Sequence, residues 1–365
     1  RPLLVCSLLF GLLRHLPLGR LLSVPAWASA FLSAGGASRV SPSLYHSGFT
    51  SATVASLTRD ALHRVRREAF PFLRRMSPEK GRSDGSRVAE TPIMTYLGIN
   101  TYALKIGGQR LLVDPVLTGD LVFFGQRWAF SGRRRADAPP TGIEPAEVPE
   151  LFDAVVLSQG LEDHAHPGTL RQIPRGMRIL ASPRAAAVAQ RLGFTNVTAL
   201  APGDSARLGD ALQITAVPGS VVGPPWEDPE NGYVFHDLRP GGLAIGAEPH
   251  GNFLGPAFGT SMRFLPKAPG VKIDALLAPL TSQSVAGYRL VNGAEEAITT
   301  LEALSPTPRF VLPLRNGEIE SEGAIAGAMT ESGSVPEFVD LLGRHPQLQA
   351  VRVLDIAQGE PVRIE

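Results

Sequence analysis

Residues 155–167 read VVLSQGLEDHAHP, an apolar run that changes abruptly into acids and imidazoles. The run up to Leu157 is short, apolar and β-branched, which is typical of an interior strand, and Pro167-Gly168 then opens a helix-like segment. The polar side chains between them are therefore predicted to lie on a strand-to-helix loop. Such loops often carry metal-binding and catalytic side chains, because a rigid element holds them where substrate has access. On spacing alone, an Asp and a His that merely serve a turn are an equally good interpretation.

The composition favours one globular domain and excludes a thiolate site. The formal net charge is +1, so the overall charge does not favour a polyanion, and no nucleic-acid partner is expected. The single cysteine, Cys6, lies in an apolar N-terminal run. The predicted domain therefore has neither disulfides nor cysteine ligands, and any metal ion would be bound by His, Asp and Glu.

The N-terminal part of the chain has the composition of a targeting leader. Residues 3–13 form an apolar run behind Arg1 that suits a signal-peptide core, and small residues near Ala30 suit a cleavage site. The chain then continues rich in Ser, Thr, Ala and Gly, without an acid before Asp60. This arrangement resembles the bipartite leaders of proteins sent to plastids of secondary origin. A secretory signal and an N-terminal anchor are the alternatives.

These features divide the chain into three predicted parts. A signal-like leader spans residues 1–30, a transit-like basic region spans 31–86, and a single folded domain spans 87–365. Residues 57–75 alternate apolar and basic positions, and we predict a solvated linker there rather than an amphipathic helix.

The predicted domain opens as a β-meander and continues as alternating strands and helices. Strand-like runs flank Gly98, Gly107-Gly108 supplies a hairpin turn, and the third run leads into Asp114-Pro115. A later strand ends at Glu248, which is again followed closely by an imidazole, His250. Strand-helix units recur in both halves, so the pattern predicts an α/β fold with two sheets between layers of helices.

The connection between Asp114 and the central strand carries bulky aromatics and then an arginine triplet, at Phe123, Phe124, Trp128, Phe130 and residues 133–135. Aromatics in a long connection more often pack the loop on its own domain than line a pocket mouth. The triplet is predicted to be a solvated turn, with contact to an anionic substrate or partner as the alternative.

With these elements placed, the domain resembles the metallo-β-lactamase superfamily, which implies a four-layer αββα sandwich. Its opening is most similar to the branch that contains ascorbate-6-phosphate lactonases and N-acyl-phosphatidylethanolamine phospholipases. Four landmarks in residues 91–317 carry the resemblance: Tyr96-Leu97-Gly98 to Asp114-Pro115, the strand into Ser158, the Gly-Tyr strand before Glu248, and the strand from Asp274 that precedes a helix and Pro313.

The metal-binding motif of that superfamily is incomplete in this chain. The family motif reads His-x-His-x-Asp-His directly after a strand-end Ser, and here Gln159 and Leu161 stand in the places of the first two imidazoles. Only Asp163 and His164 remain. The family's third imidazole is also missing from residues 216–220.

Two further positions correspond to family ligands. Glu248 falls near the bridging Asp of the family, and Arg315 falls near its last His. Asp114 is a family landmark that would support the site from beside it, and an Asx-type turn is the alternative role at that strand end.

The resemblance implies a hydrolase in which a metal ion lowers the pKa of a bound water. Because Leu161 offers no lone pair and Gln159 is a poor zinc ligand, the family's two-metal site is not expected. The remaining hypothesis is a single divalent ion, Zn, Fe or Mn, and hydrolysis of an ester, lactone or phosphoester in a small or lipid-like substrate. Asp163 and His164 would be catalytic, and the predicted metal ligands are Asp163, His164, Glu248, His166 and His250.

The alternative is a catalytically inactive member without a metal, which serves as a binding or assembly module in the plastid. In that case Asp163 and His164 would cap the next helix and bond to the core, and Arg315 would replace the cation by a salt bridge. Gln159 would stand beside the site. A protein partner would then contact the aromatic loop at residues 121–130.

Overall fold

The computed structural model describes residues 70, 72–73, 88–221, 229–252, 271–315 and 319–365, without the side chain of Phe124. The predicted leader at 1–30 and nearly all of the predicted transit-like region at 31–86 lie outside the described residues.

Strands make up most of the regular structure. The first nine are β1 Ile93–Gly98, β2 Thr101–Ile106, β3 Gln109–Val113, β4 Ser131–Arg134, β5 Ala154–Leu157, β6 Ile179–Ala181, β7 Val197–Ala199, β8 Ser205–Leu208 and β9 Leu212–Pro218. The others are β10 Asn231–Asp237, β11 Ala244–Ala247, β12 Ala275–Pro279, β13 Ser282–Val285, β14 Tyr288–Val291, β15 Phe310–Leu314, β16 Ile319–Glu322, β17 Met329–Ser332, β18 Arg352–Val353 and β19 Pro361–Arg363.

The helices are short. They are α1 Val148–Leu151, α2 Pro167–Leu170, α3 Pro183–Arg191, α4 Ala294–Ala303 and α5 Val335–Gly343, with 3₁₀ turns at Phe123–Gly125, Pro145–Glu147, Ala326–Ala328 and Pro346–Leu348. Ser182 caps α3 by accepting the N–H of Ala185, and Ser334 caps α5 by accepting that of Glu337. Within the described ranges, none of the helices combines the length and the apolar character that a bilayer crossing requires.

Two seven-stranded sheets form the body of the fold. The first has the order β19-β1-β2-β3-β5-β6-β7 and the second β18-β15-β12-β11-β10-β9-β8. Small sheets, β14-β13-β17 and β16-β4, are attached to them. In the first sheet β3, β5, β6 and β7 run parallel, and in the second β11, β12, β15 and β18 do.

Alternating faces of the strands build three apolar layers. Met94 and Tyr96 of β1 pack between the two sheets, together with Phe235 and Leu312 from the second sheet. The outer face of the first sheet packs against α1, α2 and α3, and that of the second sheet packs against α4 and α5. This order of layers, helices, sheet, sheet and helices, confirms the predicted αββα sandwich.

The parallel strands place the predicted site at one edge of the sandwich. Val113, the last residue of β3, is paired in register with Val156 of β5. Asp114 therefore lies beside the start of the loop that follows β5. The Asp114 N–H donates to the carbonyl of Val156 at 3.0 Å. Ligand sites in open α/β sheets form at these carboxyl ends, and the fold therefore supports a site there.

The prediction of a solvated turn at residues 133–135 is wrong for its first two residues. Arg133 and Arg134 lie in β4, which pairs with β16. The Arg134 guanidinium is partly buried and donates to the carbonyls of Leu97 and Val116, the latter at 2.9 Å. The arginine thus ties the β1–β2 turn to the connection after β3. Of the aromatics in the loop at residues 121–130, Phe130 is buried at 3% exposure, whereas Trp128 is 61% exposed.

A part of the predicted linker also belongs to the core. Phe72 is 1% exposed and Leu73 3%, and both pack on the outer face of the first sheet with Leu112 and Phe152. The prediction of a solvated linker is therefore wrong at these residues. The packed structure extends N-terminal to residue 87, where the domain was expected to begin.

We expect the substitution Phe72→Ala to lower the free energy of unfolding by about 3 kcal/mol, because a buried phenyl ring would be replaced by a cavity. Chemical denaturation followed by circular dichroism measures the change. Val88→Ala is the matched control, since Val88 is 67% exposed, and it should change stability by less than about 0.5 kcal/mol. An unfolding midpoint of Phe72→Ala equal to that of the wild type would contradict the observed packing.

Candidate functional site

Asp114 organises the site from the end of β3. Its Oδ1 accepts the N–H of Ser158 at 2.8 Å, and its Oδ2 accepts the Ser158 hydroxyl at 2.5 Å. The same Oδ2 lies 2.8 Å from His164 Nδ1. Asp114 adopts a positive φ of 45°, a conformation that Asp tolerates better than most residues. Both carboxylate oxygens are thus used to fix the loop after β5, as expected of a supporting role.

His164 lies between two carboxylates. Its Nδ1 faces Asp114, and its Nε2 lies 3.3 Å from Asp163 Oδ2. Burial alone would lower the pKa of His164, but Asp163 and Asp114 outweigh it and raise that pKa well above its ordinary value. Burial would likewise raise the pKa of Asp163, yet the His164 imidazole holds it below its ordinary value. The three groups form a buried ion-pair network.

Asn100 joins this network and was not among the predicted site residues. Its Nδ2 lies 3.1 Å from Asp163 Oδ2 and 3.1 Å from His164 Nε2, and it donates to the Asp163 carbonyl at 3.3 Å. Asn100 follows Gly98 and Ile99, which both have positive φ, in the turn between β1 and β2. That turn lies at the same edge of the sheet as the site. In the sequence, Gly98 is the signal that predicts the turn.

Gln159 and His250 form a second pair beside His164. The Gln159 Nε2 lies 2.7 Å from His250 Nδ1, and the His250 ring packs edge-on to His164 with ring centroids 5.5 Å apart. Burial, reinforced by the neighbouring His164, lowers the pKa of His250 to about 3. A neutral His250 accepts from the Gln159 amide, so the Gln159 side chain is held by a hydrogen bond at this position.

Glu248 directly follows β11, and main-chain N–H groups hold its carboxylate. Its carboxylate accepts the N–H of Ser220 at 3.2 Å, of His250 at 3.1 Å and of Asn252 at 2.5 Å. Burial nevertheless raises the pKa of Glu248 to about 7. A Cβ at Gly219 would come within 2.9 Å of Glu248 Oε1, which requires glycine there. The segment where the family has its third imidazole thus supplies a main-chain donor to Glu248 instead.

Two predicted residues lie outside this cluster. His166 caps α2, where its Nδ1 accepts the N–H of Thr169 at 3.2 Å and its Nε2 lies 3.2 Å from the carbonyl of Asp120. The His166 ring therefore stabilises the first turn of α2 rather than the site. The Arg315 guanidinium makes an ion pair with Asp355. The prediction that Arg315 forms a salt bridge near Glu248 and Asp163 did not name this partner.

The side chains present do not fit the family's metal centre. Leu161 has no lone pair, both ring nitrogens of His164 contact protein groups, and Glu248 accepts from three N–H groups. In the ranges that the structure describes, no three His, Cys, Asp or Glu side chains are grouped as ligands of one metal ion. The chemistry that this donor set supports is hydrogen bonding and ion pairing among the protein's own groups.

A match to a protein-family model and comparisons with solved structures show which family and fold the chain has. Residues 93–315 match the family model described as "Beta-lactamase superfamily domain". No curated protein matches the chain. Among solved structures, the isothiocyanate hydrolase from Delia radicum gut bacteria is 20% identical, with 74% of this chain and 98% of that chain covered and a TM-score of 0.51.

Two more solved structures share the fold. A possible metal-dependent hydrolase from Veillonella parvula is 13% identical over 75% of this chain and 100% of that chain, with a TM-score of 0.55. A mutant of the CmlA β-hydroxylase is 18% identical over 75% of this chain and 54% of that chain, with a TM-score of 0.50.

At these identities the solved structures support the fold alone. The family model, by contrast, covers the strands from β1 to β15 and the loop from Ser158 to His164. The chain therefore belongs to the metallo-β-lactamase superfamily.

Proposed function

We propose that this chain is a non-catalytic member of the superfamily, which keeps the sandwich as a binding module. The observation that carries the proposal is the position of Asn100. Its amide nitrogen lies 3.1 Å from both Asp163 Oδ2 and His164 Nε2, the two atoms that remain from the family's ligand set. The amide nitrogen donates a hydrogen bond to the Asp163 carboxylate, and an amide does not act as a Lewis acid.

The contacts of the carboxylates support the same proposal. A metal site needs its carboxylates and imidazoles directed at one ion, with ligand distances of about 2.0–2.2 Å for zinc. Here the carboxylates of Asp114 and Asp163 contact the His164 imidazole, and the Glu248 carboxylate accepts hydrogen bonds from main-chain N–H groups. Binding a metal would require these contacts to be broken, and each broken contact costs free energy.

A single-metal hydrolase is the second candidate. It is favoured by the family and by relatives of known structure that are described as hydrolases. It is also favoured by the short distance of 3.3 Å between Asp163 Oδ2 and His164 Nε2, which one ion would be able to share. That ion, Zn, Fe or Mn, would need Glu248 as a third ligand, and the substrate would be an ester, lactone or phosphoester.

Metal analysis separates the two candidates. We expect the full chain, purified without added metal and dialysed extensively, to contain far less than one equivalent of Zn, Fe or Mn by elemental analysis. About one retained equivalent that disappears in Asp163→Ala and His164→Ala would overturn the proposal in favour of the hydrolase.

Restoring the motif gives a second test. The double substitution Gln159→His and Leu161→His recreates His-x-His-x-Asp-His and supplies two imidazole ligands. We expect it to raise zinc affinity at least about tenfold over the wild type, measured by competition with a chromogenic chelator. Leu161→Ala is the matched control, because it removes the leucine without adding a lone pair. Equal affinity in the wild type and the double variant would argue that the original residues already complete a site.

We also propose that the binding module works in a plastid of secondary origin, with secretion as the alternative. The support is the composition of residues 1–86, a signal-like run followed by an acid-poor region rich in hydroxyl side chains up to Asp60. A fluorescent fusion of residues 1–90 should enter plastids in an alga with secondary plastids. A fusion that stays in the cytosol would refute the targeting proposal, and export from the cell would identify a secretory signal instead.

A further inference from the structure

Residues 196–198 read Asn-Val-Thr, which is the acceptor sequence for N-linked glycosylation, Asn-x-Ser/Thr with any residue except Pro at x. The other five asparagines of the chain lack a Ser or Thr two positions later. A motif this short also arises by chance. Its position in the fold and the compartment of the protein therefore decide whether it is used.

Asn196 lies on the surface, in the connection between α3 and β7. Its main chain is fixed, because its carbonyl accepts the N–H of Ile179 at 2.9 Å. The residue itself is exposed. An exposed asparagine on a fixed connection can carry a bulky hydrophilic group without disturbing the core.

The surroundings of Asn196 leave room for a sugar. Asn196 lines an open groove of about 530 Å³, and the apolar part of its wall consists of Pro149, Phe152, Pro174 and Met177. A pyranose ring has apolar faces that can pack on such a wall. The first sugar attached at Asn196 therefore meets no steric obstacle.

The acceptor sequence continues into the last strand of a sheet. Thr198 is paired in register with Leu180 of β6, and β7 ends the strand order of the first sheet. Among the described strands, none lies on the outer side of β7 where an added glycan would displace it. The Thr198 hydroxyl is needed only while the chain is extended and unfolded, because the glycan is transferred before the domain folds.

Asn196 is remote from the candidate site. The strands β3, β5, β6 and β7 run parallel, and the site follows the carboxyl ends of β3 and β5. Asn196 precedes the amino end of β7. The two positions thus lie at opposite ends of the first sheet, and a glycan at Asn196 leaves the site open.

The leader proposed above supplies the compartment. A signal-like run at residues 3–13 would direct the chain into the lumen of the endoplasmic reticulum, where glycans are transferred to asparagine. Secretion and delivery to a plastid of secondary origin both begin with this step. The acceptor sequence would therefore meet the transferring enzyme on either route.

We propose that Asn196 is N-glycosylated. In the transfer, Asn196 Nδ2 forms a bond to C1 of an oligosaccharide and loses one proton. The bond between C1 and the diphosphate of the lipid carrier breaks, and its electron pair leaves with the diphosphate. The inference rests on the proposed targeting, because a chain that stays in the cytosol does not meet this lipid-linked donor. It does not depend on whether the candidate site binds a metal.

Translation of the full chain in the presence of endoplasmic reticulum microsomes tests the proposal. We expect a fraction of the chain to become resistant to added protease and to migrate more slowly in electrophoresis. Peptide-N-glycosidase F should abolish the slower migration. That enzyme converts a glycosylated asparagine into aspartate, so mass spectrometry of the released peptide should locate the conversion at residue 196.

Variants of the acceptor sequence provide the controls. Asn196→Gln and Thr198→Ala should each abolish the slower migration, while the protein remains protected inside the microsomes. Thr198→Ser keeps the hydroxyl and should retain the glycan. Thr195→Ala removes a hydroxyl just outside the acceptor sequence and should change nothing. Slower migration that persists in Asn196→Gln would overturn the assignment.

The proposals fail in different ways. A chain that enters the microsomes without gaining a glycan refutes glycosylation and leaves the targeting proposal intact. A chain that does not enter them refutes the targeting proposal and glycosylation with it. Zinc, iron or manganese retained by the purified protein refutes the binding module and leaves glycosylation intact.

Discussion

The hydrogen bonds of the Asp114 carboxylate are the constraint on which the site depends. They connect the end of β3 to the end of β5 through Ser158, and they hold the His164 imidazole at the same point. Without that carboxylate, a fully buried imidazole would face Asp163 alone and the loop after β5 would lose its anchor. This requirement exists whether or not a metal is bound. It gives Asp163 and His164 a structural role that does not depend on a metal ion.

Amide side chains and main-chain N–H groups contact the imidazoles and carboxylates of the site. Gln159 pairs with His250, Asn100 joins Asp163 to His164, and the main chain at Ser220 supports Glu248. The pKa values of the two neighbouring imidazoles are consequently shifted in opposite directions. The carboxylates of Asp163 and Asp114 raise the pKa of His164, whereas burial and the neighbouring His164 lower the pKa of His250 to about 3.

Much of the sandwich was predictable because its strands are apolar runs bounded by Gly, Pro and polar turns. The identities of Asp163 and His164 were accessible for the same reason, since they directly follow a buried strand. Asn100 was not, because it lies more than sixty residues earlier in the sequence and only the pairing of β1, β2, β3 and β5 brings it to the site. Phe72 was missed because basic residues surround it in the sequence, and its burial becomes evident only against the outer face of the first sheet. Arg134 was missed because β4 finds its partner, β16, almost two hundred residues later.

The central claim is that hydrogen bonds from protein groups, rather than a metal ion, hold the ligand residues that remain. Anomalous X-ray diffraction at the zinc edge, from crystals of the full chain grown with an equimolar zinc salt, tests it most directly. The account predicts no anomalous peak between Asp163 and His164, with the Asn100 amide in hydrogen-bonding distance of both. A peak about 2.0–2.2 Å from His164 Nε2 and an Asp163 oxygen, with Asn100 displaced, would contradict it.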